Sequence, residues 1–128
     1  DLLGSRGLGD VYKRQLLENI KYFLFNENIN ETTISNVLDK YELDSFKSDL
    51  IGDFSSGMVK RSEIAIADLK NPKVLCIDEP KVYLDENGVD LLLNLITKRE
   101  KEGNASILSS QESIGAFTSI ERSINLND

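Results

Sequence analysis

Two short apolar runs, KVLCIDEP and ASILSS, stand either side of a helix-length segment, DENGVDLLLNLITKREKEG, and this spacing constrains the fold more than any other feature. The middle segment predicts a helix closed by Gly103, because glycine takes left-handed backbone at a helix end without steric cost. Each flanking run is short, β-rich and bounded by turn residues, as a buried strand is. A strand, a crossover helix and a second strand place the two strands parallel in one sheet. QESIGAFTSIERSINLND is expected to add a short helix and a last strand, so the second half reads as α/β.

The first half has a different texture. LLENIKYFLF, residues 16–25, is apolar at Leu17, Ile20, Phe23 and Leu24, which is helical spacing. In NINETTISNVLDKYEL, Thr32 or Thr33 is expected to cap a helix whose apolar side is Ile34, Val37, Leu38 and Tyr41. DFSSGMVKRSEIAIADLK then places Ser55, Ser56 and Gly57 directly before a third helix, with Val59, Ile66 and Leu69 toward one side and Pro72 marking its stop. A helical unit therefore precedes the sheet.

Composition narrows the chemistry. At 128 residues, with 40% of them hydrophobic, the chain suits one modest core. No apolar run approaches the roughly 20 residues that span a bilayer, and no secretion signal is visible, so the chain reads as cytoplasmic. A single cysteine, Cys76, excludes an internal disulfide, and the absence of histidine removes the usual zinc sites and His-based triads. A net charge of -7 argues against nucleic acid as a partner, since phosphate contacts need a basic patch.

Carboxylates, hydroxyls and backbone groups remain. Asp78 and Glu79 fall at the carboxyl end of the first predicted strand, where open parallel sheets bind ligands. Adjacent acids there suit a metal-assisted reaction, one holding Mg²⁺ through water and the other orienting an attacking water. Ser55 offers a hydroxyl at a helix start, where free N–H groups and the dipole favour an anion. Taken alone, Asp78 and Glu79 read as solvated loop acids, Ser55 as an ordinary cap and Asp85 as a turn or cap residue.

In order and spacing, these pieces resemble the second half of an ABC-type ATPase, the nucleotide-binding domain of ABC transporters. DFSSGMVKR resembles the signature motif (LSGGQ, or FSGGM in drug- and peptide-export subfamilies). NPKVLCIDEP resembles the Walker B strand, KVYLDENG the D-loop, and ILSSQES the switch-histidine loop. The resemblance implies a partial P-loop NTPase core of α/β class, with parallel strands over residues 71–128 and a preceding helical subdomain over residues 16–70. It implies ATP and Mg²⁺ as ligands: Ser55, Ser56 and Gly57 on phosphates held by a second ATPase subunit, Asp78 on the metal through water, Glu79 as general base, Gln111 at the γ-phosphate and Asp85 across the dimer interface. It also implies that the helical unit docks on an integral membrane permease at the cytoplasmic face of the cell membrane.

Four positions depart from the pattern. Ser56 stands at the first signature glycine, which is expected to weaken the close approach of phosphate. Lys81 and Tyr83 replace small residues before Asp85. Gln111 replaces the switch histidine, and glutamine still donates a hydrogen bond but never becomes cationic, so slower hydrolysis is expected. The parent is expected to be the ATP-driven motor of an exporter of drugs, peptides or lipids. Two alternatives are a non-hydrolysing partner in an asymmetric ATPase pair and a soluble, non-transport ATPase of the same family.

The opening stretch, DLLGSRGLGDVYKRQ, has the glycines and basic residues of a phosphate loop but not its pattern: no lysine follows a glycine and no Ser or Thr follows Lys13. Ser5 to Gln15, SRGLGDVYKRQ, is similar to the translation of a transposon-end sequencing adaptor, so residues 1–15 are expected to be non-native. The family's phosphate loop would then lie upstream of this chain. The chain alone is expected to lack tight ATP binding and hydrolysis, and its shortened sheet to expose apolar surface and make it aggregation-prone.

Overall fold

The computed structural model describes residues 11–111. Helix α1 (Leu16–Phe23), helix α2 (Glu31–Lys40) and helix α3 (Ser56–Lys70) come first, followed by strand β1 (Val74–Asp78), helix α4 (Glu86–Lys101) and strand β2 (Ala105–Ser109). Single 3-10 turns at Asp44–Phe46 and Ile51–Asp53 join α2 to α3. The expected order of elements is thus present as far as residue 111. The short helix and last strand expected beyond it, like Gly4, Gly7 and Gly9, lie outside the described residues.

Two boundaries differ from expectation for identifiable reasons. Helix α2 is capped by Asn30, not by Thr32 or Thr33: Asn30 Oδ1 accepts from the Thr33 N–H at 2.8 Å and from its hydroxyl at 2.9 Å. Asparagine is among the strongest N-caps, and it begins the helix a turn earlier. Helix α3 stops at Asn71, whose left-handed backbone (φ 43°) ends the ladder one residue before Pro72.

Eight residues are too few for a helix to persist in water on propensity alone. Helix α1 is held by Leu16 and Ile20, both fully buried, each contributing about 1.5–3 kcal/mol relative to exposure. Its start is fixed by hydrogen bonds onto the preceding main chain: the Ile51 N–H donates to the Arg14 carbonyl at 3.1 Å, and the buried Asn19 side chain donates Nδ2 to the Val11 carbonyl at 3.0 Å.

Among the described residues the sheet is two parallel strands, with Val74 opposite Ala105 and Asp78 opposite Ser109. The pleat turns Leu75 into the core and sends Val74 and Ile107 outward, 55% and 56% exposed, with Cys76 exposed between them. The exposed apolar sheet surface expected from the sequence is therefore present. Arg99 fastens the opposite end of this sheet: fully buried, it donates to the Pro72 carbonyl at 2.7 Å, the Ala105 carbonyl at 2.9 Å, Asn71 Oδ1 at 3.0 Å and Ser106 Oγ at 3.0 Å. Burial pushes its pKa down, but the guanidinium stays charged, so these acceptors replace the water it gave up.

A second buried charge joins the helices. Asp68 on α3 accepts from Lys40 Nζ at 2.9 Å, the Tyr41 hydroxyl at 2.9 Å and Lys98 Nζ at 3.1 Å, so α2, α3 and α4 meet at one carboxylate. Burial raises the Asp68 carboxyl, yet the hydrogen bonds from Lys40 and Lys98 outweigh it and the net shift is downward. A folded-state value below the unfolded one adds stability above the ordinary aspartate range, and that stability is lost as pH falls through the lowered value. Both lysines remain partly in water, at 39% and 48% exposure, which places the cluster between a surface pair and a dry one. Asp68→Asn should cost about 1–3 kcal/mol at neutral pH and should flatten the loss of stability below about pH 4, as read from urea unfolding across pH.

Candidate functional site

Asp78 ends β1 and Glu79 follows it, so both acids stand at the carboxyl edge of the sheet. Glu79 holds left-handed backbone (φ 48°), a conformation costing a non-glycine residue about 1–3 kcal/mol. Its N–H donates to the Ser109 carbonyl at 2.7 Å, which carries the parallel pairing one residue past the strand. Glu79 Oε1 accepts from the Gln111 N–H at 3.1 Å and Oε2 from the Ser110 hydroxyl at 3.4 Å. Asp78 Oδ1 accepts from the Ser109 hydroxyl at 2.6 Å. Parallel pairing thus brings Asp78, Glu79 and Gln111 together across 32 positions of sequence.

Ser55, Ser56, Gly57 and Asp85 form a separate group. Ser55 is the N-cap of α3, its Oγ accepting from the Met58 N–H at 3.2 Å, and Ser56 is exposed as the first helical residue. Gly57 faces the turn before α4: a Cβ there would lie 3.0 Å from the Tyr83 carbonyl, so the glycine permits that close approach. Tyr83 itself is left-handed (φ 67°) and 67% exposed. Asp85 caps α4 by accepting from the Gly88 N–H at 2.8 Å, and its Oδ1 also accepts from Arg61 Nη2 at 2.8 Å. The capping roles open to Ser55 and Asp85 from sequence are both realised.

Arg61, Lys60, Ser109 and Ser110 were not singled out by sequence reasoning. Arg61 reaches Asp85 with one nitrogen and Glu42 Oε2 with the other at 2.7 Å, tying the turn after α2 to the start of α4. Lys60 Nζ donates to the Asp78 carbonyl at 3.1 Å, bracing α3 against the end of β1. The usable signal was spacing: Lys60 and Arg61 lie in the first turns of the helix that Ser55 begins, and two hydroxyls end the run ILSS.

Among the described residues, no group of three His, Cys, Asp or Glu side chains can hold a metal ion by itself. The donors at the sheet edge are all oxygens, which suit Mg²⁺, and Mg²⁺ commonly takes one or two carboxylates and completes its shell with water and substrate phosphates. Asp78 fits that partial role, with Oδ2 free of any partner among the described residues.

Parallel strands, a crossover helix and an acid pair at their carboxyl edge define a partial P-loop NTPase fold. The ABC transporter family model matches residues 6–82. The chain belongs to the ABC transporter family. A lantibiotic transport ATP-binding protein from Streptococcus pyogenes is 33% identical over 93 residues, 73% of this chain and 41% of that protein. An L-arabinose transport ATP-binding protein from Geobacillus stearothermophilus is 31% identical over 95% of this chain and 27% of that protein. The chain therefore spans less than half the length of these relatives. Its fold matches the dimeric post-hydrolysis state of the ATP-binding cassette MJ0796 bound to ADP and Pi, with a TM-score of 0.67 at 22% identity over 80% of this chain and 48% of that one.

The Gly88 N–H, and after it Arg61, holds the Asp85 carboxyl below the usual aspartate range. Arg61→Ala should move the Asp85 pKa upward yet leave it below the ordinary value, because the Gly88 N–H remains. Carboxyl-carbon NMR titration reads this directly, and an unmoved Asp85 would show that Arg61 does not hold it in solution.

Proposed function

We propose that this chain is part of the ATP-hydrolysing subunit of a transporter, contributing the acid pair, the switch position and the signature turn. The observation that carries the proposal is the joined cluster of Asp78, Glu79 and Gln111 at the carboxyl edge of paired parallel strands. Bound Mg²⁺·ATP supplies the phosphoanhydride and the charge neutralisation at the transferred phosphoryl group. Asp78 would hold the metal through water, and Glu79 would orient the attacking water and take up its proton. Gln111, with an amide in place of an imidazole, donates a neutral hydrogen bond at the γ-phosphate.

Ser55, Ser56 and Gly57 lie on a helix start suited to phosphate, and we assign them to nucleotide held by a second ATPase subunit, with Asp85 at the same interface. No helix among the described residues is long and apolar enough to cross a membrane, and we assign residues 16–70 to docking on an integral membrane permease at the cytoplasmic face. Export of a drug, peptide or lipid is our reading of its task, supported by the FSSGM form of the signature turn and by the lantibiotic transport relative. Ser56 and Gln111 favour one second reading, the non-hydrolysing regulatory partner in an asymmetric pair.

Residues 1–15 we take as adaptor-derived on the uninterrupted match of SRGLGDVYKRQ. The longer protein then carries a phosphate loop ahead of Leu16, and the chain alone lacks tight ATP binding.

In that longer protein, Glu79→Gln should lower the ATPase rate by about 100-fold or more, and Gln111→His should raise it. A Glu79→Gln protein with undiminished turnover would refute the assignment. Absence of turnover in the unaltered protein, restored by Gln111→His, would select the asymmetric pair.

A further inference from the structure

Ser109 closes β2 and stands directly opposite Asp78 in the strand register. It touches both acids: its hydroxyl donates to Asp78 Oδ1 at 2.6 Å, and its carbonyl accepts from the Glu79 N–H at 2.7 Å. A hydroxyl–carboxylate bond this short is charge-assisted and roughly twice as strong as a neutral one. Asp78 is exposed, so burial does not fix its rotamer. The bond to Ser109 does so, and by occupying Oδ1 it leaves Oδ2 as the unpartnered oxygen. The other β2 residues on this face, Ala105 and Ile107, carry no hydroxyl.

We propose that Ser109 is a positioning residue for the metal–nucleotide complex, orienting the Asp78 carboxylate so that Oδ2 meets the metal's water shell. This rests on the reading of Asp78 given above. The serine does not touch the reacting atoms. It acts by removing the rotational freedom that an exposed carboxylate loses when it becomes a metal partner, a role that residues hydrogen-bonded to metal ligands commonly fill. Because the bond lies at the surface, it adds little to folding stability, and its consequence falls on binding.

The test uses the longer protein carrying this segment, with Mn²⁺ in the presence of ADP as probe and free Mn²⁺ read by electron paramagnetic resonance. Ser109→Ala should weaken Mn²⁺ binding about tenfold without lowering the unfolding midpoint, while Ser109→Thr, which keeps the hydroxyl and suits a strand, should stay within about twofold of the unaltered protein. Ser109→Ala binding Mn²⁺ as tightly as the unaltered protein overturns the inference, as does Ser109→Thr binding as weakly as Ser109→Ala. Asp78→Asn separates the two levels of the argument. If it abolishes binding while Ser109→Ala changes nothing, only the role of Ser109 fails. If Asp78→Asn itself leaves Mn²⁺ affinity unchanged, the reading of Asp78 fails, and the role of Ser109 with it.

Discussion

The buried guanidinium of Arg99 is the contact on which the placement of the site depends. It bridges the segment entering β1, through Asn71 and Pro72, and the start of β2, through Ala105 and Ser106. A two-stranded parallel sheet has few ladder bonds and no further strand to hold its register among the described residues. Fixing the amino ends of both strands fixes where their carboxyl ends emerge, and those ends carry Asp78, Glu79, Ser109 and Gln111. A buried cation is costly unless its donors are satisfied, and here all three nitrogens of the guanidinium find oxygen acceptors, none of them a carboxylate.

The helical unit is fastened to this sheet at two heights along α3. Asp68 gathers Lys40, Tyr41 and Lys98 near the carboxyl end of the helix, and Arg61 joins Glu42 to Asp85 near its amino end. The turn between Glu79 and α4 lies between these fasteners and the acid pair, packed against Gly57 and carrying left-handed Tyr83. A displacement of α3 would therefore reach Asp85 through Arg61 and the end of β1 through Lys60. That arrangement gives the helical unit a physical route to the acids.

Most of the architecture was legible in the sequence, for reasons that differ by element. The crossover between KVLCIDEP and ASILSS could be read because two β-rich runs separated by a helix pair in parallel, and the pairing observed is the one that spacing predicts. The acid pair could be read from its position at a strand end. Arg99 could not, because a single arginine in the basic last turn of an exposed-looking helix, TKREK, resembles its solvated neighbours until the fold closes over it. The Asp68 cluster was hidden similarly: its four members are scattered from position 40 to position 98, and no periodicity joins them. The cap of α2 was misplaced because NINETT offers four good capping residues within six positions, and only geometry selects Asn30.

The central claim is that Arg99 sets the strand pairing that assembles the acid edge, and amide hydrogen exchange tests it. In the unaltered chain, the Glu79 N–H should be protected well beyond an open loop, because it donates to the Ser109 carbonyl. In Arg99→Met, which keeps much of the side-chain volume and removes the donors, protection at Glu79 should fall together with that of Val74–Asp78, although Glu79 lies at the far end of the sheet. A folded Arg99→Met protein with undiminished protection at Glu79 would contradict the account.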